Sequence, residues 1–157
     1  MNTDVSADDC SNEAVSLLRR RAMDLLAVRE HSRKELRGKL LARLDQTDRL
    51  DDVLDWLEDE GLLSDQRFAE AFVRSRIGRG QGPVRIRQEL IQRGVPEGLA
   101  CQAIDTEGCD WFELAAQVAG RRFGSEPASE RRELARRLRF LQYRGFTTEQ
   151  CREALGM

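Results

Sequence analysis

The residues in this chain best equipped for chemistry are arginines. Of 26 cationic residues 24 are arginine, the other two being Lys34 and Lys39. A guanidinium presents five N–H donors in a rigid plane, meets carboxylates and phosphates two bonds at a time, and has no proton to exchange near neutral pH. Such a group binds; it does not relay protons. Arg74, Arg76, Arg79, Arg85 and Arg87 flank or sit within the segment Gly78-Arg79-Gly80-Gln81-Gly82. Glycine there would let a partner backbone come close while the cations supply charge-assisted bonds. The loop lacks the Gly-Lys-Ser/Thr ending of a phosphate-cradling P-loop and follows no strand, so it reads as a helix-helix hinge with a binding surface beside it. Arg121, Arg122, Arg131, Arg132, Arg136, Arg137 and Arg139 form a second basic group, diluted by Glu126, Glu130 and Glu133 at helical pairing distances.

Other chemistries lack their residues. Asp51, Asp55 and Asp59 stand four apart, but metal-dependent hydrolysis draws carboxylates from several elements, and the leucines opposite them mark a solvated helix face. His31 is the only histidine and lies beside a helix-capping serine, not beside a nucleophile. Cys10, Cys101, Cys109 and Cys151 include no CxxC and no paired spacing, so reduced thiols are expected and neither zinc nor a disulfide framework is. No enzyme signature and no cofactor motif emerges. A net charge of -2 excludes a bulk polycation that coats nucleic acid. The charge is uneven, however: residues 19–43 carry nine basic and three acidic side chains, and residues 45–65 nine acidic and one basic. No apolar run approaches the roughly 18 residues of a membrane span. Residues 1–13 lack the basic start and apolar stretch of a secretory leader, so the expected setting is the cytoplasm, away from membranes.

The elements that must carry these residues follow from apolar spacing. Residues 1–13 are polar and aperiodic and are expected to be a mobile tail. Val15, Leu18, Ala22, Leu25 and Leu26 then fall at steps of three and four, which predicts a first helix. Ser32 with Glu35 matches a capping box ahead of Leu36, Leu40, Leu41 and Leu44. A third helix from about Asp48 carries Leu50, Val53, Leu54 and Leu57 and stops at Gly61. Ser64 opens a fourth, with Phe68, Ala69, Phe72, Val73 and Ile77. Pro83 and Pro96 start the fifth and sixth. Trp111 to Phe123 form a seventh, Ser129 caps an eighth bearing Leu134, Leu138 and Leu141, and Thr147 with Gln150 caps a ninth. Trp56, Phe68, Phe72, Trp111, Phe112 and Phe123 are expected in the core, and Tyr143 and Phe146 to lock helices together. No segment alternates as a strand does, so the fold class is all-α.

The second helices repeat. Leu40-Leu41-Ala42-Arg43, Leu90-Ile91-Gln92-Arg93 and Leu141-Gln142-Tyr143-Arg144 share Leu-x-x-Arg at offsets of 50 and 51, and Cys101 and Cys151 also lie 50 apart. That period predicts three tandem three-helix repeats, 14–63, 64–107 and 108–157, each too small to bury its own faces and so stacked in an elongated array. Such an array offers a long surface, not a pocket.

The run Glu60-Gly61-Leu62-Leu63-Ser64-Asp65-Gln66-Arg67-Phe68-Ala69-Glu70-Ala71-Phe72-Val73-Arg74-Ser75-Arg76, continued by Gly80-Gln81-Gly82-Pro83-Val84-Arg85-Ile86-Arg87-Gln88-Glu89-Leu90 and Arg93-Gly94-Val95, closely resembles the central signature of the RecX family. The likeness extends through residues 29–36 upstream and 137–146 downstream. It implies a curved stack of three three-helix repeats in the groove of the RecA filament on single-stranded DNA. There, the resemblance implies, the protein suppresses ATP turnover, strand exchange and stimulated repressor self-cleavage, and so modulates homologous recombination, DNA repair and the SOS response. It implies no cofactor. The arginine clustering makes Arg74, Arg76, Arg79, Arg85, Arg87, Arg93 and Arg144 the expected filament-binding residues. A monomer is expected, with weak contact to single- or double-stranded DNA. The rival reading is a direct DNA-binding module, since three-helix units resemble helix-turn-helix packing in outline; overall acidity argues against it. One departure from the pattern, Val95-Pro96 with Gly98, should leave the sixth helix weakly started.

Overall fold

The computed structural model describes residues 7–42 and 49–157, and all regular structure among them is helical. In chain order the helices are α1 (Ala7–Val28), α2 (Arg33–Leu41), α3 (Leu50–Asp59), α4 (Asp65–Gly78), α5 (Pro83–Gln92), α6 (Glu97–Thr106), α7 (Trp111–Phe123), α8 (Arg131–Tyr143) and α9 (Thr148–Ala154). They divide into two compact units, one ending at Phe68 and the other spanning Ala69–Met157. Among the described residues no helix is long and apolar enough to cross a membrane.

In the first unit the predicted stripes close on one another. Leu18 and Ala22 of α1, Leu36 and Leu40 of α2, and Leu50, Val53, Leu54 and Leu57 of α3 form its core with Leu63. Trp56 packs at the edge of that core, with the Arg19 guanidinium 4.1 Å from its ring centre. Helix α1 begins at Ala7, so residues 7–13 are helical where a tail was expected. Asn12 and Glu13 are exposed there. Once a packed stretch has nucleated a helix, further turns add one hydrogen bond per residue, and apolar spacing does not register them. Residues 1–6 of the expected tail, together with Arg43, Leu44 and Asp48, lie outside the described residues.

The acidic face of α3 is not simply solvated. Arg33 of α2 reaches Asp55 at 2.7 Å and Glu58 at 3.1 Å, and Arg37 reaches Asp51 at 3.3 Å. Arg33 and Arg37 of the basic run are therefore compensated by Asp51, Asp55 and Glu58 of the acidic one. Among the described residues no three His, Cys, Asp or Glu side chains gather as metal ligands would.

His31 is 1% exposed. Its Nδ1 lies 3.0 Å from the Arg29 carbonyl and its Nε2 3.0 Å from Lys39 Nζ. These partners require the tautomer that donates from Nδ1 and accepts an ammonium proton at Nε2. Burial lowers the imidazole pKa, and the Arg29 and Lys39 charges add to that against the opposing pull of the Arg29 carbonyl and Glu35. The fold thus favours neutral imidazole, while the unfolded chain titrates near 6.5. Below that pH the unfolded state holds more protons, so stability falls as pH falls through 6.5 towards the lower folded value. The urea midpoint of unfolding should drop between pH 7.5 and 5.5, and H31N should flatten that segment of the profile; a wild-type profile already flat there would contradict the buried neutral imidazole.

In the second unit α5 packs on α6, while α7, α8 and α9 pack on one another. Buried residues include Val73, Ile86, Leu90, Ala103, Ala115, Val118, Leu141, Phe146 and Cys151. Pro83 starts α5, as predicted, and Gly82 is its N-cap. The Thr147–Gln150 capping box is complete, with hydrogen bonds of 3.2 and 2.9 Å. At α8 the cap falls on Glu130, with no side-chain bond, and not on Ser129. The hydrogen bond from Arg137 holds the Glu133 carboxyl in the first turn of α8 below the usual range. Two aromatic expectations fail, since Phe112 and Tyr143 are exposed.

Candidate functional site

The loop between α4 and α5 meets the chain's own α8–α9 junction. Gly82 N–H donates to the Arg144 carbonyl at 2.8 Å, and Val84 N–H to the Gly145 carbonyl at 2.9 Å. A Cβ on Gly82 would lie 2.3 Å from the Gly145 carbonyl carbon, and one on Gly145 would lie 2.2 Å from Arg85 Cβ. Gly145 also has φ +98°, a left-handed conformation that favours glycine. The backbone for which Gly82 makes room is therefore internal. Room for a partner's backbone at this point, the sequence expectation, is replaced by an intramolecular clasp.

The clasp orders the arginines around it. Glu89 stands one turn after Arg85 on α5 and accepts its Nε–H at 2.9 Å on one carboxylate oxygen. The other oxygen forms an ion pair with Arg76 Nε at 3.5 Å. The guanidiniums of Arg76 and Arg93 lie 4.5 and 5.1 Å from the centre of the Phe72 ring, geometry suited to cation–π attraction. Arg85 lies 5.2 Å from the Tyr143 ring, which is 76% exposed. Arg144 donates to the Arg79 carbonyl at 2.8 Å and packs over Phe140. Burial lowers the Arg76 pKa; Glu89 opposes that shift, and the like charges of Arg79, Arg93 and Arg85 add to it. Glu89 acts on Arg85 in the same direction, and there its hydrogen bond outweighs burial, so that guanidinium's pKa is raised.

Of the seven predicted site residues, Arg76, Arg79, Arg85, Arg93 and Arg144 are thus drawn into one patch. Arg74 and Arg87 are not. Arg74 faces Glu107 at 3.9 Å and Arg87 faces Glu97 at 3.1 Å, in exposed pairs that contribute little energy. In the second basic group, Arg137 is structural: it is 8% exposed, pairs with Glu133 at 2.6 Å and donates to the Glu126 carbonyl at 2.9 Å. Glu126 therefore acts on it through its backbone, where a carboxylate pair was expected. Sequence reading missed Glu89 and the role of Phe72. The Arg85/Glu89 spacing of four was the available signal.

Models of the RecX second and third three-helix domains match residues 64–104 and 109–155. The Regulatory protein RecX of Halorhodospira halophila is 48% identical over 150 residues, covering 96% of this chain and 91% of the relative. The chain belongs to the RecX family. The Regulatory protein RecX of Chromohalobacter salexigens is 50% identical over 135 residues, 86% of this chain and 88% of that one. Two crystal structures share the fold. RecX from Lactobacillus salivarius superposes with a TM-score of 0.78 at 22% identity, over 92% of this chain and 96% of that one. A second, described as regulatory protein RecX, superposes with a TM-score of 0.81 at 24% identity, over 99% and 79%. Both halves of the clasp lie inside matched RecX domains, Gly82 in the second and Gly145 in the third. The RecX relatives are named as regulatory proteins, not as enzymes.

Proposed function

We propose that this chain is a negative regulator of RecA that binds in the groove of the RecA filament on single-stranded DNA and inhibits its recombinase, ATPase and co-protease activities. It acts as a cytoplasmic monomer without a cofactor, and so modulates recombination, repair and the SOS response. The observation that carries the reading is the arginine patch of Arg76, Arg79, Arg85, Arg93 and Arg144, set around Glu89 and Phe72 in a RecX-family chain. Guanidiniums held in fixed planes suit recognition of acidic side chains on a protein surface. Arg74 and Arg87 flank the contact.

Titrating the purified chain into RecA hydrolysing ATP on single-stranded DNA tests this. Turnover should fall to a plateau; turnover unchanged at saturation refutes the reading. Exposure of Tyr143 beside Arg85 favours a second reading, direct DNA contact by base stacking. It predicts steeply salt-dependent binding to DNA without RecA.

A further inference from the structure

We propose that Glu89 is a positioning residue, one that aligns Arg76 and Arg85 as a two-arginine clamp for a carboxylate on the protein partner. The inference rests on the function proposed above and adds the residue that sets the geometry of its contact.

Glu89 engages both arginines at Nε, one carboxylate oxygen to each. A guanidinium held by Nε still has Nη protons that can bond a second anion, so Glu89 fixes the two side chains, 17% and 33% exposed, at their inner edges. Arg85 Nη1 approaches the Tyr143 carbonyl at 3.5 Å, which further restricts the plane. On Arg76, Phe72 does the equivalent from beneath at 4.5 Å. Without Glu89, Arg76 would face Arg79, Arg85 and Arg93 with no compensating charge nearby, and its 17%-exposed side chain would swing towards water. Rotamer freedom is then lost at folding and not at binding, which is how preorganisation strengthens a contact.

The second oxygen of Glu89 is buried and accepts no hydrogen bond. Its ion pair with Arg76 is thus charge held in place without the directional bond that Arg85 receives. That arrangement aligns the clamp without filling it. A carboxylate is the better fit than a phosphate chain, because a chain of net charge -2 does not draw a polyanion from a distance, and stacked, immobile guanidinium planes match a planar acceptor.

The test is a cycle of wild type, E89Q, R76A/R85A and the triple variant, each titrated into the RecA ATP-hydrolysis assay. E89Q should raise the half-inhibiting concentration about ten-fold. In the R76A/R85A background the same change should do nothing, because its effect runs through the two arginines. An equal loss in both backgrounds would make Glu89 a general structural residue and overturn the proposal. E89Q inhibiting like wild type while R76A/R85A fails would remove Glu89 and leave the proposed function standing. R76A/R85A inhibiting like wild type would instead overturn the arginine site itself. Tight single-stranded DNA binding without RecA, lost in E89Q, would overturn the carboxylate assignment. Should E89Q lose helicity, E89D replaces it in the same cycle, since its shorter arm keeps the charge but cannot reach both Nε groups.

Discussion

Gly145→Ala is expected to unfold the second unit or to leave it severely destabilised. The new methyl would sit 2.2 Å from Arg85 Cβ and 2.7 Å from Arg85 N, both fixed by helix α5, and φ at this position is +98°. Gly82→Ala presses against backbone in the same way, with the Gly145 carbonyl carbon at 2.3 Å and the Phe146 N at 2.4 Å. No flexible side-chain tip is available to yield. Relief requires the α4–α5 loop to part from the α8–α9 junction, which sacrifices the two backbone hydrogen bonds of 2.8 and 2.9 Å that join them. Overpacking combined with backbone strain and lost hydrogen bonds should cost about 3 kcal/mol or more. Gly38→Ala is the control. Gly38 lies within α2 with nothing inside 4 Å of an added Cβ, so alanine should stabilise by about 0.5–1 kcal/mol. Urea unfolding followed by circular dichroism measures all three. Near-wild-type midpoints for Gly82→Ala and Gly145→Ala would mean that the clasp is not closed in solution.

The second large effect is on function. R76E/R85E should abolish inhibition of RecA's DNA-dependent ATP hydrolysis while leaving helicity intact. The reversal places two new carboxylates beside Glu89, so that the patch repels an acidic partner and loses the fork geometry. Truncating one member of a buried charged pair at an interface typically costs 2–5 kcal/mol, and reversal of two should move the half-inhibiting concentration by about 100-fold or more. R74E/R87E should act differently. Those side chains are about half exposed and already face Glu107 and Glu97, so a change of only about a few-fold is expected. Equal losses from the two pairs would mean that the partner reads the whole basic surface and not the ordered patch.

The contrast between these pairs shows where sequence reading stops. Helix positions followed from apolar spacing because buried stripes at steps of three and four impose themselves on the chain; Leu36 and Leu40, or Ile86 and Leu90, are fully buried as their spacing required. Proline and capping-box signals were equally local and placed α5 and α9 correctly. Where burial did not drive the element, the reading failed. Asn12 and Glu13 of α1 are exposed, and the α8 cap falls on Glu130 with no side-chain bond and not on Ser129. The site shows the same division. Spacing and family resemblance brought attention to seven arginines, but which five converge depends on Gly82 meeting Gly145 some 60 residues away along the chain. Local periodicity carries no information about that contact. Glycine in the loop was read as room for a partner's backbone, and the structure places the chain's own Gly145 there instead.

The most direct test of the whole account is electron microscopy of RecA filaments on single-stranded DNA, imaged with and without the purified chain. Added density following the filament groove, with shorter filaments at higher dose, is the predicted result. Filaments unchanged in length and in groove density at saturating concentration would contradict it.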